Sequence, residues 1–209
     1  VDAIKNPRAA WIYNAGARRV RRAPDLAYDN VADGTEGMRT TDQYFGFNGA
    51  TDRYEWKIIG RKELYVPYNT YQISSKKLRY DEILGDGSVN KDFMRYELHR
   101  VWEVEATLKE GSKHIYGKRV FYLDEDSWSI LGEDCYDTRG NIWRVGIHGL
   151  IQAYDELVPW PNVLIWHDLT NGNYLVSHLD NEVKKPIRFG IKDRWTNFQP
   201  DALRRRGTR

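Results

Sequence analysis

The feature that most constrains this chain is a succession of short β-branched and aromatic bursts between Arg95 and Glu182, separated by only a few turn-forming residues. Lys109-Glu110-Gly111-Ser112, Asp124-Glu125-Asp126 and Asp137-Thr138-Arg139-Gly140 break it up. Asn171-Gly172, a strong hairpin dipeptide, joins 163–168 to 174–179. Parallel neighbours need crossovers of a dozen or more residues, so strands this close in sequence must run antiparallel. The expected core is a mainly β antiparallel meander, with no long helical periodicity competing.

Residues 98–108 show which way such a strand faces. Leu98, Trp102, Val104, Ala106 and Leu108 share one side and Glu103, Glu105 and Thr107 the other, with Val101 as the exception. Period-two alternation means one covered face and one wet face. Upstream, Ala10-Trp11-Ile12-Tyr13 and Arg18 to Arg22 read as a hairpin turning at Asn14-Ala15-Gly16, with Gly16 expected to supply a positive φ. Segments 54–60 and 62–66 read as two more strands. Residues 29–53 and 69–93 read as irregular loops with short helices: one turn near Thr41 to Phe45, and one helix from Tyr80 to Leu84 capped by Gly85. From 184 to 209 the pattern fades into Pro186, Pro200 and basic residues, an irregular basic tail. One β-rich domain over 1–209 is expected. The chain starts at Val1 without a methionine and runs almost at once into a strand, so a segment upstream, a signal peptide included, is expected to have been removed.

Composition excludes several classes. At 41% hydrophobic and 13% aromatic residues the chain can build a core. The 32 basic and 30 acidic residues leave a net charge of only +2, which argues against a nucleic-acid partner. No stretch reaches the roughly 18 apolar residues of a transmembrane helix. Arg18, Arg19, Arg21 and Arg22 nonetheless sit together, and Arg204, Arg205, Arg206 and Arg209 crowd the end. Two readings stand: a solvated surface, or a patch for phosphate or lipid head groups. The single cysteine, Cys135, forbids an internal disulfide and reads as a small buried hydrophobe.

Catalytic motifs are not found. Gly85-Asp86-Gly87 is a turn rather than a phosphate loop, and no G-x-S-x-G elbow is present. His99, His114, His148, His167 and His178 fall in no tight metal-ligand spacing, and His167 and Asp168, adjacent on a strand, face opposite ways. Glu103 and Glu105 look like wet-face carboxylates rather than an acid–base pair. Asp124 to Asp126 are explained by turn chemistry. Neither enzymatic activity, nor a metal, nor a cofactor is expected.

The aromatics are more informative. Trp102, Phe121, Trp128, Trp143, Trp160 and Trp166 recur strand after strand. A sheet with few helices must either pack its apolar face with its own side chains or curl around a cavity. Trp102, Phe121, Trp143 and Trp166 are the candidate ligand wall, and Arg18, Arg19, Arg21 and Arg22 the candidate head-group patch.

Specific strings add a resemblance. Trp11-Ile12-Tyr13, Arg18-Arg19-Val20-Arg21-Arg22-Ala23-Pro24, Phe47-Asn48-Gly49 and Tyr65-Val66-Pro67-Tyr68-Asn69 resemble a bacterial domain of unknown function numbered 1329. So do Arg95 to Trp102 and Lys118 to Trp128. Members of that family are longer, and this chain resembles their C-terminal half. The run from Arg119 to Arg144 is also similar to the LolA, LolB and LppX superfamily. That resemblance implies a strongly curved, incompletely closed antiparallel barrel with a few short helices, and non-catalytic carriage of a lipid, lipoprotein or other apolar ligand. It further implies a periplasmic or outer-membrane-associated location and an RND-type transporter or outer-membrane protein as partner. A protein that only docks on an envelope partner is the alternative.

Overall fold

The computed structural model describes residues 5, 9–185 and 187–207. Pro186 and Arg209, both noted in the sequence, lie outside them. Seven strands form one open sheet in chain order: β3 (Tyr54–Pro67), β4 (Tyr96–Leu108), β5 (Lys118–Asp124), β6 (Ile130–Tyr136), β7 (Ile142–Ala153), β8 (Val158–Asp168) and β9 (Tyr174–Ser177), each antiparallel to the next. The expected meander is therefore the observed topology. Before it comes a separate two-stranded hairpin, β1 (Trp11–Asn14) with β2 (Arg19–Arg22).

Irregularities in register bend this sheet. The segments read as two strands, 54–60 and 62–66, form one long β3 with a shift between Ile58 and Gly60. Further shifts fall after Tyr122, Cys135 and Gly149. Each extra residue raises the local twist and bends its strand. The chain leaving β3 thereby reaches β7: Tyr68 forms a parallel bridge with Leu150, and Thr70 N–H donates to the Leu150 carbonyl at 3.1 Å. Val66, Tyr68, Val101, Leu131 and Leu150 pack together at that meeting. This explains Val101, the one apolar residue among wet-face glutamates: the curl covers its end of the strand.

The two long loops pack on the sheet. Residues 69–93 bring Ile73, Ile83 and Val89 onto Val163 and Ile165. The side chain of Asn162, extra in the β8 register, pins this loop by donating to the Thr70 carbonyl at 2.9 Å. Residues 29–53 place Asp42, Gln43, Gly46 and Phe47 against β5 and β6.

Four local expectations are corrected. Gly16 is not the positive-φ residue of the first hairpin. Arg18 is, at 50°, while Asn14 Oδ1 accepts from the Ala17 N–H at 2.7 Å to hold the turn. The turn near Thr41 is a 3-10 turn limited to Thr41–Gln43. Helix α1 (Tyr80–Ile83) ends on an extended Leu84, so Gly85 is not a left-handed cap. The tail is not irregular throughout, because it ends in helix α2 (Pro200–Gly207), which packs on the β1–β2 hairpin and buries Ala202.

Candidate functional site

Two adjacent cross-strand rows run over one face of the sheet. The first is Trp56, Ala106, Arg119, Cys135, Arg144 and Asp168; the second is Ile58, Val104, Phe121, Glu133, Gly146 and Trp166. Both rows pass from open to sealed. Ile58 is 67% exposed and Trp56 36%, whereas Phe121 is 1% exposed and Arg119 and Trp166 are fully buried. The seal is the 29–53 loop, which meets the sheet through a polar network and through Phe47.

Arg119 sits at the centre of that contact. Its Nη1 donates to Asp42 Oδ2 and its Nη2 to Glu133 Oε2, both at 3.0 Å, and Nη2 also reaches the Gly46 carbonyl. Glu133 Oε1 accepts from Trp166 Nε1 at 2.8 Å and Gln43 Nε2 at 3.0 Å. Gln43 Oε1 accepts from the Tyr116 hydroxyl, which in turn accepts from Arg144 Nη1. Trp143 and Arg144 both donate to Asp168 Oδ2. Two glycines make room. A Cβ on Gly146 would lie 2.5 Å from Glu133 Cγ, and one on Gly46, whose φ is +82°, would lie 2.6 Å from Ile130.

Electrostatics fix the charge states. Burial works to raise the Glu133 carboxyl, but Arg119 and the nearby His148 outweigh it and bring it down to about 2. Asp42 is likewise held below the usual carboxylate range, because Arg119 and the His114 hydrogen bond offset its burial. Burial, reinforced by Glu133, pushes the Cys135 thiol well up. Neither Glu133 nor Asp42 reaches solvent and Cys135 stays protonated, so these groups cannot exchange protons with a substrate or attack one. The network holds the loop down.

The same face remains apolar where the loop stops. Trp102 and Val104 are half-buried, Leu98 is 54% exposed and Tyr65, paired across from it, is 68% exposed. Trp56 stacks on Phe121 at 5.8 Å with Phe47 edge-on to both, which continues the apolar surface down to the seal. Arg61, paired across from Trp102, lies over its ring at 5.1 Å, and Arg100 sits on this face between Leu98 and Trp102; both pair with Glu125, so charge interrupts the apolar patch.

Of the four wall residues expected from sequence, Trp102 is half-buried at this open end, whereas Phe121 is sealed behind Trp56 and Phe47. Trp166 shares Phe121's row three strands further on, under the loop, and Trp143 is the bulged residue near β7's start, tied to Asp168. The arginines Arg18, Arg19, Arg21 and Arg22 sit on the hairpin. There Ile12 and Arg22 share a cleft of about 530 Å³ with Val31, Arg39 and Tyr44. Sequence reasoning missed Arg119, Glu133, Asp42 and Gln43. Its available signal was the pattern Arg119-x-Phe121 and Glu133-x-Cys135, which puts charge on the same side as core residues. It also missed that His99, Asp124 and Asp126, from different elements, bring possible metal-ligand atoms within 4.8 Å of one another. Asp124 is committed there to His99 Nδ1 and to the Ser127 amide and hydroxyl.

The unclosed, curled antiparallel sheet with one partly open apolar face is a fold shared with solved structures. A domain from Vibrio parahaemolyticus assigned to outer membrane lipoprotein sorting superposes with a TM-score of 0.52 at 13% identity, covering 93% of this chain and 65% of that one. A protein of the DUF1329 family from Desulfovibrio piger gives 0.51 at 16% identity, covering 92% and 63%. The chain belongs to that family, described as a protein of unknown function, DUF1329, whose model matches residues 1–204. An uncharacterised protein of Pseudomonas aeruginosa is 48% identical over all 209 residues, which make up 46% of its length, so the chain spans less than half of that relative.

Proposed function

We propose that this is a non-catalytic envelope protein that holds an acyl chain or comparable apolar group against the open end of its sheet. The observation that carries the reading is the exposure gradient along one row, from Ile58 at 67% through Val104 to Phe121 at 1%. An exposed apolar surface of this kind, interleaved with Arg61 and Arg100, marks an interaction site. The likeness to lipoprotein-sorting folds supports the same class of ligand and a periplasmic or outer-membrane setting. An RND-type transporter or outer-membrane protein is the partner class implied by the family resemblance. The competing occupant is polypeptide: the Pseudomonas relative has more than half its length outside this match, and such a segment can cover the same face.

The test is titration of a fluorescent fatty acid into the chain and into Ile58→Asp and Val104→Asp, with mass spectrometry of lipid retained after gentle purification. A saturable site lost in both variants supports the reading. Ile58→Asp should leave stability within about 0.5 kcal/mol, because the side chain is mostly exposed. Unchanged binding in both variants sinks it.

A further inference from the structure

The two arginine runs, separated by some 180 positions in sequence, meet in space. Arg18, Arg19 and Val20 of the hairpin line one cleft of about 430 Å³ together with Asp201 and Arg204 of α2. The helix buries Ala202 and packs on both strands of the hairpin, so the convergence is part of the fold. Charge is segregated accordingly. Residues 10–22 and 184–206 hold twelve arginines and lysines against two aspartates, net +10. Residues 23–183 hold seventeen basic and twenty-seven acidic residues, net −10. The overall +2 conceals basic charge gathered in these two segments.

The basic end also carries large apolar side chains at its surface. Trp11 of β1, Phe198 just before α2 and Leu203 within it border a second cleft with Arg206. Trp195 is 77% and Phe198 64% exposed. Tryptophan and phenylalanine interleaved with arginine match the interface of a bilayer, where rings settle at head-group depth and guanidinium groups meet phosphates.

From these observations we infer that the hairpin and α2 form a docking surface for an anionic phospholipid bilayer, separate from the apolar face of β3 and β4. Net positive charge gathered where the hairpin meets α2 orients the chain at such a membrane. Each basic residue near an anionic surface contributes on the order of 1 kcal/mol, or roughly fivefold in partition.

The experiment is flotation of the chain with vesicles of phosphatidylcholine alone and of phosphatidylcholine with about one-third phosphatidylglycerol, at low and high salt. Binding should need phosphatidylglycerol and weaken with salt. Arg19→Glu with Arg21→Glu should lower it more than about 25-fold. Arg19→Lys with Arg21→Lys should retain it, which separates charge from folding. Trp195→Ser, at an exposed position, should weaken it with the melting temperature unchanged. Equal binding to both vesicles, no binding to either, or tighter binding to a duplex oligonucleotide than to the anionic vesicles would overturn the inference. The readout is independent of fatty-acid binding, so this surface and the apolar face can fail separately.

Discussion

Arg119 and Glu133 meet at 3.0 Å with both side chains wholly shielded from water. A buried ion pair is tolerable only when its remaining hydrogen-bonding capacity is filled, and Asp42, Gly46, Gln43 and Trp166 do most of that here. The pair therefore records how the 29–53 loop is fastened to the sheet.

Removing the cation should be severe. Arg119→Met leaves Asp42 and Glu133 buried without their guanidinium, and breaking a buried pair from one side costs about 3–5 kcal/mol. Urea unfolding should show that loss in the midpoint. Adding Glu133→Gln and Asp42→Asn to Arg119→Met should recover part of it, because the uncompensated charges are then gone. A loss below about 1 kcal/mol for Arg119→Met would mean that the network does not form in solution.

Acid should release the loop. Glu133 has its carboxyl depressed from an ordinary 4.5 to about 2 in the folded chain, and Asp42 is shifted the same way. A depressed carboxylate contributes stability that is present above its unfolded value and is lost as the pH falls through its folded value. Stability should therefore decline between pH 4.5 and about 2. Glu133→Gln should start less stable at neutral pH and flatten that decline, as followed by urea titrations across the range.

Gly146→Ala tests the packing geometry. The added methyl would approach Glu133 Cγ to 2.5 Å and His148 Nε2 to 3.0 Å, both on side chains locked by burial. Overpacking of this kind costs about 1–3 kcal/mol. Gly111→Ala makes a control of a different sort: its Cβ would meet nothing within 4 Å, so any loss there comes from its φ of +77° alone. Unfolding midpoints for the two variants measure the packing cost and the backbone cost separately.

The sheet was readable because turn residues and period-two alternation are local: Asn171-Gly172, the strand from 98 to 108, and the antiparallel order all follow from neighbours in sequence. What seals the sheet was not. Asp42 and Gln43 lie some 70 to 90 positions from Arg119 and Glu133, and a charged residue at a core slot cannot name its partner. The wall residues divide for the same reason. Trp102, Phe121 and Trp166 have equal claims as aromatics on one face, yet only the position of the loop decides that the apolar surface stays open near Trp102 and closes over Phe121 and Trp166. The helix α2 was missed because it is short, starts at a proline and carries three consecutive arginines, so its one buried residue, Ala202, gives no periodic pattern.

The open apolar end predicts a particular dependence on ligand length. A methylene fully enclosed in protein gains about 0.8 kcal/mol, close to fourfold in affinity. Ile58 is 67% exposed and Leu98 54%, so a hydrocarbon lying on this surface would be covered on one side only. Half that gain, about 0.4 kcal/mol or roughly twofold for each added carbon, is the expected slope for fatty acids of roughly ten to roughly sixteen carbons. Isothermal titration across such a series measures it. A fourfold slope would mean that the face closes over its guest, with the 29–53 loop as the element free to move, and Arg119→Met would then alter the slope. A flat series would mean that no hydrocarbon lies there, and that the surface between Trp56 and Leu98 is made for polypeptide.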